Sequence, residues 1–246
     1  MIGLPDSTTA CLFDLDGVLT STATLHEAAW RKTFDSFLAG WPEGDREPFT
    51  HVDYLASVDG RPRADGVRTF LATRGITLPE GTPDDSPELP TVHGVGNRKN
   101  ELLLATIEEQ GVEPYAGSVA YLKAARNAGL AIGVVTSSAN GEAVLASAHL
   151  AEYVQARVDG VVIARDGLAG KPAPDSFLTG ARALGASPER TAVFEDAISG
   201  VEAGKAGGFG YVVGVNRAGT ADHADALRAR GADIVVDDLA DLLGAP

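Results

Sequence analysis

Six short apolar or β-branched runs recur along the chain with helix-length stretches between them: Ala10 to Phe13, Leu130 to Val135, Val158 to Ala164, Thr191 to Phe194, Tyr211 to Val215 and Ile234 to Val236. Strands apolar on both faces, separated by helical stretches, predict an α/β protein with a parallel, Rossmann-like sheet, since parallel strands are covered on both sides and need crossover connections. The intervening segments carry helix signals: Ser118 opens one that Gly129 closes, and Pro172-Ala173-Pro174-Asp175 leads into one that Gly185 stops. Ligands of such sheets bind beyond the carboxyl ends of the strands.

More than a hundred residues separate the first run from the second, far more than one crossover requires. An inserted domain is therefore expected: a helical cap over residues 22–106, within a Rossmann-like core built from 1–21 and 107–246. Thr24-Leu25-His26-Glu27 fits a capping box, and Trp30, Phe34, Phe37 and Leu38 follow at helical spacing. Further helix is expected around Val67 to Ala72 and Glu101 to Glu109. The stretch Pro79 to Pro90 holds four prolines and four acidic residues and predicts an exposed loop.

With 44% hydrophobic and 22% charged residues among 246, there is enough apolar material for a packed core. A formal charge of -14 argues against broad binding to nucleic acid or to an anionic membrane face. The single cysteine, Cys11, cannot form an internal disulfide; no apolar run approaches the roughly 18 residues of a membrane span, and the first residues lack a basic-then-apolar leader. A cytoplasmic monomer is expected.

The strongest local signal is Leu12-Phe13-Asp14-Leu15-Asp16-Gly17-Val18, an apolar strand running into two carboxylates one residue apart and a glycine. On its own it reads equally as a solvated acidic turn. Three further polar groups end later strands or precede a helix: Thr136-Ser137-Ser138 with Asn140, Lys171 before Pro172, and Glu195-Asp196. Separately these are a helix cap, a surface lysine and another turn. Together they are what phosphoryl transfer through an aspartyl phosphate needs: a carboxylate nucleophile, a metal, an ammonium and hydrogen-bond donors for the phosphoryl oxygens. Asp14 is the expected nucleophile and Asp16 the general acid/base. Thr136 and Ser137 are the expected phosphate donors, Lys171 the counter-charge and Asp196 a metal ligand, with Mg²⁺ suited to such hard oxygen donors. Neither zinc-type ligand spacing nor a Gly-x-x-x-x-Gly-Lys-Ser/Thr or Gly-x-Gly-x-x-Gly loop occurs.

These motifs, Asp14-x-Asp16-Gly17-Val18, Thr136, Lys171 and Glu195-Asp196 in that order, resemble the haloacid dehalogenase superfamily. The resemblance implies a Rossmann-like core and Mg²⁺ held by Asp14, the Asp16 backbone carbonyl and the Glu195-Asp196 pair. Within the superfamily the chain is similar to the beta-phosphoglucomutase family. That likeness rests on His26 and Trp30 four residues apart, Gly60-Arg61-Pro62-Arg63 as a Gly-x-x-Arg loop, and the pair Lys99-Asn100. It implies a phosphorylated sugar as substrate. Gly60, Arg63, Ser138 and Asn140 would serve the second phosphate and sugar, Lys99 and Asn100 the sugar, and His26 would orient Asp16. Asp59 stands where mutases of that family carry lysine. Three functions follow as expectations: a mutase interconverting beta-glucose 1-phosphate and glucose 6-phosphate through the bisphosphate, a sugar-phosphate phosphatase, and a non-catalytic sugar-phosphate binder.

Overall fold

The computed structural model describes residues 2–42 and 46–244. In chain order it comprises β1 (Ala10–Phe13), α1 (Ala23–Gly40), a short α2 (His51–Asp53) continued by a π-helical turn (Tyr54–Val58), α3 (Arg63–Thr73), α4 (Val92–Gln110), α5 (Ala116–Asn127) and β2 (Ala131–Val135). There follow α6 (Gly141–Ser147), β3 (Ala156–Val158), α7 (Gly160–Asp166), α8 (Asp175–Ala183), β4 (Thr191–Glu195), α9 (Ile198–Ala206), β5 (Tyr211–Val215), α10 (Ala221–Ala229) and β6 (Ile234–Val236). Two compact units result: Thr22–Gly111, and the residues before and after that span. The expected boundary at 106 moves to 111 because α4 runs without interruption to Gln110, where Gly111 ends it. Among the described residues no helix is long and apolar enough to cross a membrane.

The core unit is an α/β fold around a six-stranded sheet of order β3-β2-β1-β4-β5-β6, parallel throughout. β1 is central and buried at every position, as a parallel strand covered on both faces must be. Its register sets Phe13 beside Val134 on one side and Phe194 on the other, so that the next residue, Asp14, emerges beside Val135 and Glu195. Phe13 stacks on Phe194 with ring centroids 4.3 Å apart, and Tyr121 meets both rings edge-on, which locks that register from one face.

Three local expectations are corrected. The run Val158 to Ala164 is strand only at its first residue; Asp159 then accepts from the Val161 and Val162 amides at 3.1 and 3.0 Å and caps α7, so the apolar residues continue as helix. Helix α1 begins at Ala23 behind Thr22, whose side chain makes no cap, so Thr24 and Glu27 already lie inside the helix and form no capping box. Helix α5 begins at Ala116 rather than Ser118, whose hydroxyl instead donates to the Val18 carbonyl at 2.7 Å.

The inserted unit packs around an aromatic cluster. Phe34 lies 5.0 Å from Trp30, 5.2 Å from Phe49 and 4.2 Å from Phe70, and all four are buried. The Pro79 to Pro90 stretch is exposed over most of its length, yet it is held: Asn97 Nδ2 donates to the Pro83 and Asp85 carbonyls at 3.0 and 2.9 Å, and Arg98 Nε to the Pro87 carbonyl at 3.0 Å. The capping box of this unit sits at α2, where Thr50 Oγ1 accepts from the Asp53 amide at 3.1 Å while the Asp53 carboxylate accepts from the Thr50 amide at 2.9 Å. Arg74 completes the network with a 3.0 Å ion pair to Asp53.

Partial burial works against the Asp53 carboxylate, but Thr50 and Arg74 outweigh it and hold the carboxyl below its ordinary range. Asp53 therefore contributes stability that is complete above the ordinary carboxylate range and is lost as the pH falls through its lowered value. Asp53→Ala is expected to cost about 1–2 kcal/mol at neutral pH, and the difference from the parent should shrink below about pH 4. Both tryptophans, Trp30 and Trp41, lie in this unit, so urea unfolding followed by tryptophan fluorescence reads it directly. An equal deficit at pH 7 and pH 3 would contradict the ionic part of the account.

Candidate active site

The carboxyl ends of β1, β2 and β4 converge on one ammonium group. Lys171 Nζ donates to Asp14 Oδ1 at 2.5 Å, to Glu195 Oε1 at 2.5 Å and to the Val135 carbonyl at 3.1 Å, so its three protons are all placed. Asp14 follows β1, Val135 ends β2 and Glu195 ends β4. The Lys171 side chain is fully buried and lies 4.8 Å from the Phe177 ring. The second oxygen of Glu195 accepts from the Ala197 amide at 3.0 Å.

Burial alone would deprotonate Lys171, but Asp14 and Glu195 outweigh it and hold the ammonium above its usual range. Asp14 is raised, first by burial and then by its carboxylate neighbours Glu195 and Asp16, against the pull of Lys171. Asp14, Glu195 and Asp196 each bring an oxygen within 4.8 Å of the others. With Asp16 beside Asp14 that makes four carboxylates in one place, two of them paired with Lys171, an excess of negative charge on hard donors that suits a divalent cation. Asp196 reaches the cluster by lying over Gly17: a Cβ there would collide with its carboxylate, and the φ of +86° at Gly17 is one that L side chains rarely adopt.

Asp16 is half-buried and differs from Asp14 in its partner, accepting from Thr136 Oγ1 at 3.2 Å. The same Thr136 oxygen accepts from the Ser138 amide at 3.0 Å, and the Ser138 hydroxyl from the Asn140 amide at 3.2 Å. Ser137, Ser138 and Asn140 thus form a folded turn at the end of β2, beside Thr136. The structure brings together Asp14, Asp16, Thr136, Lys171, Glu195 and Asp196 through these contacts.

In the inserted unit, Lys99 Nζ lies 3.1 Å from His26 Nδ1 and 5.1 Å from the Trp30 ring. An ammonium can only donate, so Nδ1 is the acceptor and the imidazole carries its proton on Nε2. His26, Trp30 and Lys99 therefore form one contact group, with Asn100 the next residue of α4. Gly60 follows the π-helical turn, and Arg63 is the first residue of α3, its side chain laid along Gly96. Burial lowers the Arg63 pKa, and among the described residues no carboxylate or hydrogen-bond acceptor meets its guanidinium.

Comparison with known proteins decides the family. The sequence profile of the haloacid dehalogenase-like hydrolases matches residues 8–208. The chain belongs to this family. It is 52% identical over 247 aligned residues to the beta-phosphoglucomutase of Mycobacterium bovis, covering 99% of this chain and 94% of that protein. It is 29% identical to hexitol phosphatase A of Escherichia coli, over 93% of this chain and 90% of that one. The crystal structure of a hydrolase from Pseudomonas syringae shares the fold with a TM-score of 0.76 at 21% identity, over 96% of each chain. The chain is thus an enzyme of the haloacid dehalogenase-like family.

Two residues at this site carry no mark in the motifs. His223, in the first turn of α10, lies with Nε2 3.0 Å from the Asp196 carbonyl, and Arg217 contacts the turn that carries Gly17. Arg217 stands two residues beyond β5, so the rule that ligands sit past strand carboxyl ends would have pointed there.

The Lys171 bridge generates a stability prediction. Lys171→Met leaves Asp14 and Glu195 buried without a counter-charge, and breaking such a pair costs about 3–5 kcal/mol. Adding Glu195→Gln should recover part of that loss, since one uncompensated charge is then removed. Chemical unfolding followed by circular dichroism checks both; equal stability of parent and Lys171→Met would refute the bridge.

Proposed function

We propose that this enzyme transfers a phosphoryl group between a phosphosugar and Asp14, and that it interconverts beta-glucose 1-phosphate and glucose 6-phosphate through the bisphosphate. Phosphorylated Asp14 gives its phosphoryl group to the free hydroxyl of the sugar monophosphate, whose proton passes to Asp16 as base; the bisphosphate so formed presents its other end, and Asp14 attacks that phosphorus while Lys171 fixes one of its oxygens and the departing sugar oxygen takes the proton back from Asp16. Thr136 and Ser137 donate to the phosphoryl oxygens, for which the Thr136 hydroxyl turns away from Asp16.

Asp14, the Asp16 backbone carbonyl and Asp196 are the proposed ligands of Mg²⁺, which when bound neutralises charge on the transferring phosphoryl group. Glu195 belongs to the acidic cluster, but its oxygens are engaged by Lys171 and the Ala197 amide, so its part is to hold the lysine.

The observation that carries the mutase over the phosphatase is Arg63. A partly buried guanidinium that no carboxylate of the described residues neutralises, at the start of an eleven-residue helix, is suited to a phosphate. A mutase needs two phosphate sites and a phosphatase needs one. Arg63 with Ser138 and Asn140 is the proposed second site, with Gly60 shaping the loop before Arg63. Lys99 and Asn100 hold the sugar, and His26, next to Trp30, orients Asp16. The phosphatase reading draws on Asp59, which puts a negative charge where family mutases carry lysine.

Incubation with beta-glucose 1-phosphate, Mg²⁺ and a trace of beta-glucose 1,6-bisphosphate, with glucose 6-phosphate and free phosphate followed separately, decides between them. Glucose 6-phosphate is the expected product, and Asp14→Asn should lower its formation about a thousandfold or more. Arg63→Ala should lower it at least about tenfold, the worth of one charge-assisted hydrogen bond, while slow hydrolysis of the aspartyl phosphate survives. Release of phosphate without glucose 6-phosphate would establish the phosphatase instead.

A further inference from the structure

Arg217 uses its whole guanidinium. Nε donates to the Gly17 carbonyl at 2.8 Å; Nη2 to the Val18 carbonyl at 3.3 Å and to Ser118 Oγ at 3.4 Å; Nη1 to the Asp237 carbonyl at 3.0 Å and to Asp238 Oδ2 at 2.9 Å. Its Cζ stacks 3.7 Å from the centre of the Tyr115 ring, and the side chain is 16% exposed. One side chain thereby joins the turn after β1 to the start of α5 and to the segment after β6.

That turn needs an external lock. Gly17 is its most permissive residue, and its amide already donates to the Thr20 carbonyl at 2.8 Å. Arg217 fixes the other side of the same residue by holding its carbonyl, and Ser118 Oγ shares the Val18 carbonyl with it. Asp16 directly precedes Gly17, and the Asp196 carboxylate lies over the Gly17 Cα. Loss of the Gly17 carbonyl bond frees rotation at the residue that aims Asp16.

We infer that Arg217 is a positioning residue for phosphoryl transfer, acting through the Gly17 and Val18 carbonyls to hold Asp16 in line with the leaving oxygen. The inference rests on the acid/base role proposed above for Asp16. A lysine cannot replace it, because a single ammonium cannot reach three carbonyls, a hydroxyl and a carboxylate from one plane. Arg217 touches no reacting atom, so its effect falls most heavily on steps in which Asp16 gives or takes a proton.

Leaving-group chemistry separates this from a general structural role. A sugar alkoxide needs a proton as it departs, whereas the acetate released from acetyl phosphate does not. Phosphorylation of Asp14 by beta-glucose 1,6-bisphosphate and by acetyl phosphate is compared for the parent, Asp16→Asn, Arg217→Ala and Arg217→Lys. Arg217→Ala is expected to lose at least about tenfold more in kcat on the bisphosphate than on acetyl phosphate, with a smaller change in KM. Asp16→Asn should show the same selectivity, more strongly, and Arg217→Lys should fall between Arg217→Ala and the parent. If Arg217→Ala does not fold, Arg217→Lys and Ser118→Ala, which removes the other bond to Val18, are read by the same ratio. Equal losses on both donors, or none on either, overturn the role of Arg217 while leaving that of Asp16 intact. Absence of the selectivity in Asp16→Asn overturns the acid/base assignment itself, and the role of Arg217 with it.

Discussion

One buried ammonium organises the core. Lys171 Nζ is bonded to groups from the ends of three neighbouring strands, β2, β1 and β4, and a sheet offers three such ends together only if all three run in the same direction and in register. Replacing the Lys171, Asp14 and Glu195 set by apolar side chains of similar size would be neutral or stabilising by the general experience with buried ion pairs. Stability alone does not account for it. What the arrangement achieves is a carboxylate held immobile at the carboxyl end of the sheet, where ligands of parallel sheets bind, with an ammonium charge beside it.

From that point the two aspartates of one motif stand in different surroundings, as the roles proposed for them require. Asp14 is buried, bonded to Lys171 and crowded by Glu195 and Asp16, whereas Asp16 is half-buried and accepts from the Thr136 hydroxyl. A nucleophile must keep its lone pair aimed at phosphorus; an acid/base must exchange protons with a departing or arriving oxygen. Paired carboxylates in unequal environments are how one site performs both tasks. The glycine after them lets Asp196 approach the same place, so the residue type at position 17 is dictated by the carboxylate above it as much as by the turn.

The strand ends were legible in the sequence because their polar residues directly follow apolar runs, so that Asp14, Thr136, Glu195 and Asp196 stand out locally. Their joint meaning came from order along the chain. The run Val158 to Ala164 reads as a strand but continues as helix after Val158, since an apolar run looks alike in a strand and in a buried helix and only the cap at Asp159 separates them. The residue pattern points to a capping box at Thr24 to Glu27, whereas the box present at Thr50 to Asp53 lies in a stretch without a long periodic helix to announce it. Arg217 was invisible for another reason: most of its bonds go to main-chain carbonyls, two of them about two hundred residues away, and a carbonyl has no residue type to recognise.

The core machinery contains nothing that distinguishes one sugar from another. In the proposed mechanism its groups handle a phosphoryl oxygen, a metal and a proton, and a chain with this machinery resembles a beta-phosphoglucomutase and a hexitol phosphatase along nearly the same length. Selectivity has to come from residues that the phosphoryl chemistry does not itself require, and the inserted unit carries several. Arg63 is desolvated with no carboxylate of the described residues beside it, while Lys99 is desolvated against Trp30 and spends a donor on His26. A partly buried guanidinium without a counter-ion favours an anion beside it, whereas Lys99 already has a partner in its own unit. Of these two cations, Arg63 is therefore the one open to an anionic ligand, as the proposed second phosphate site requires.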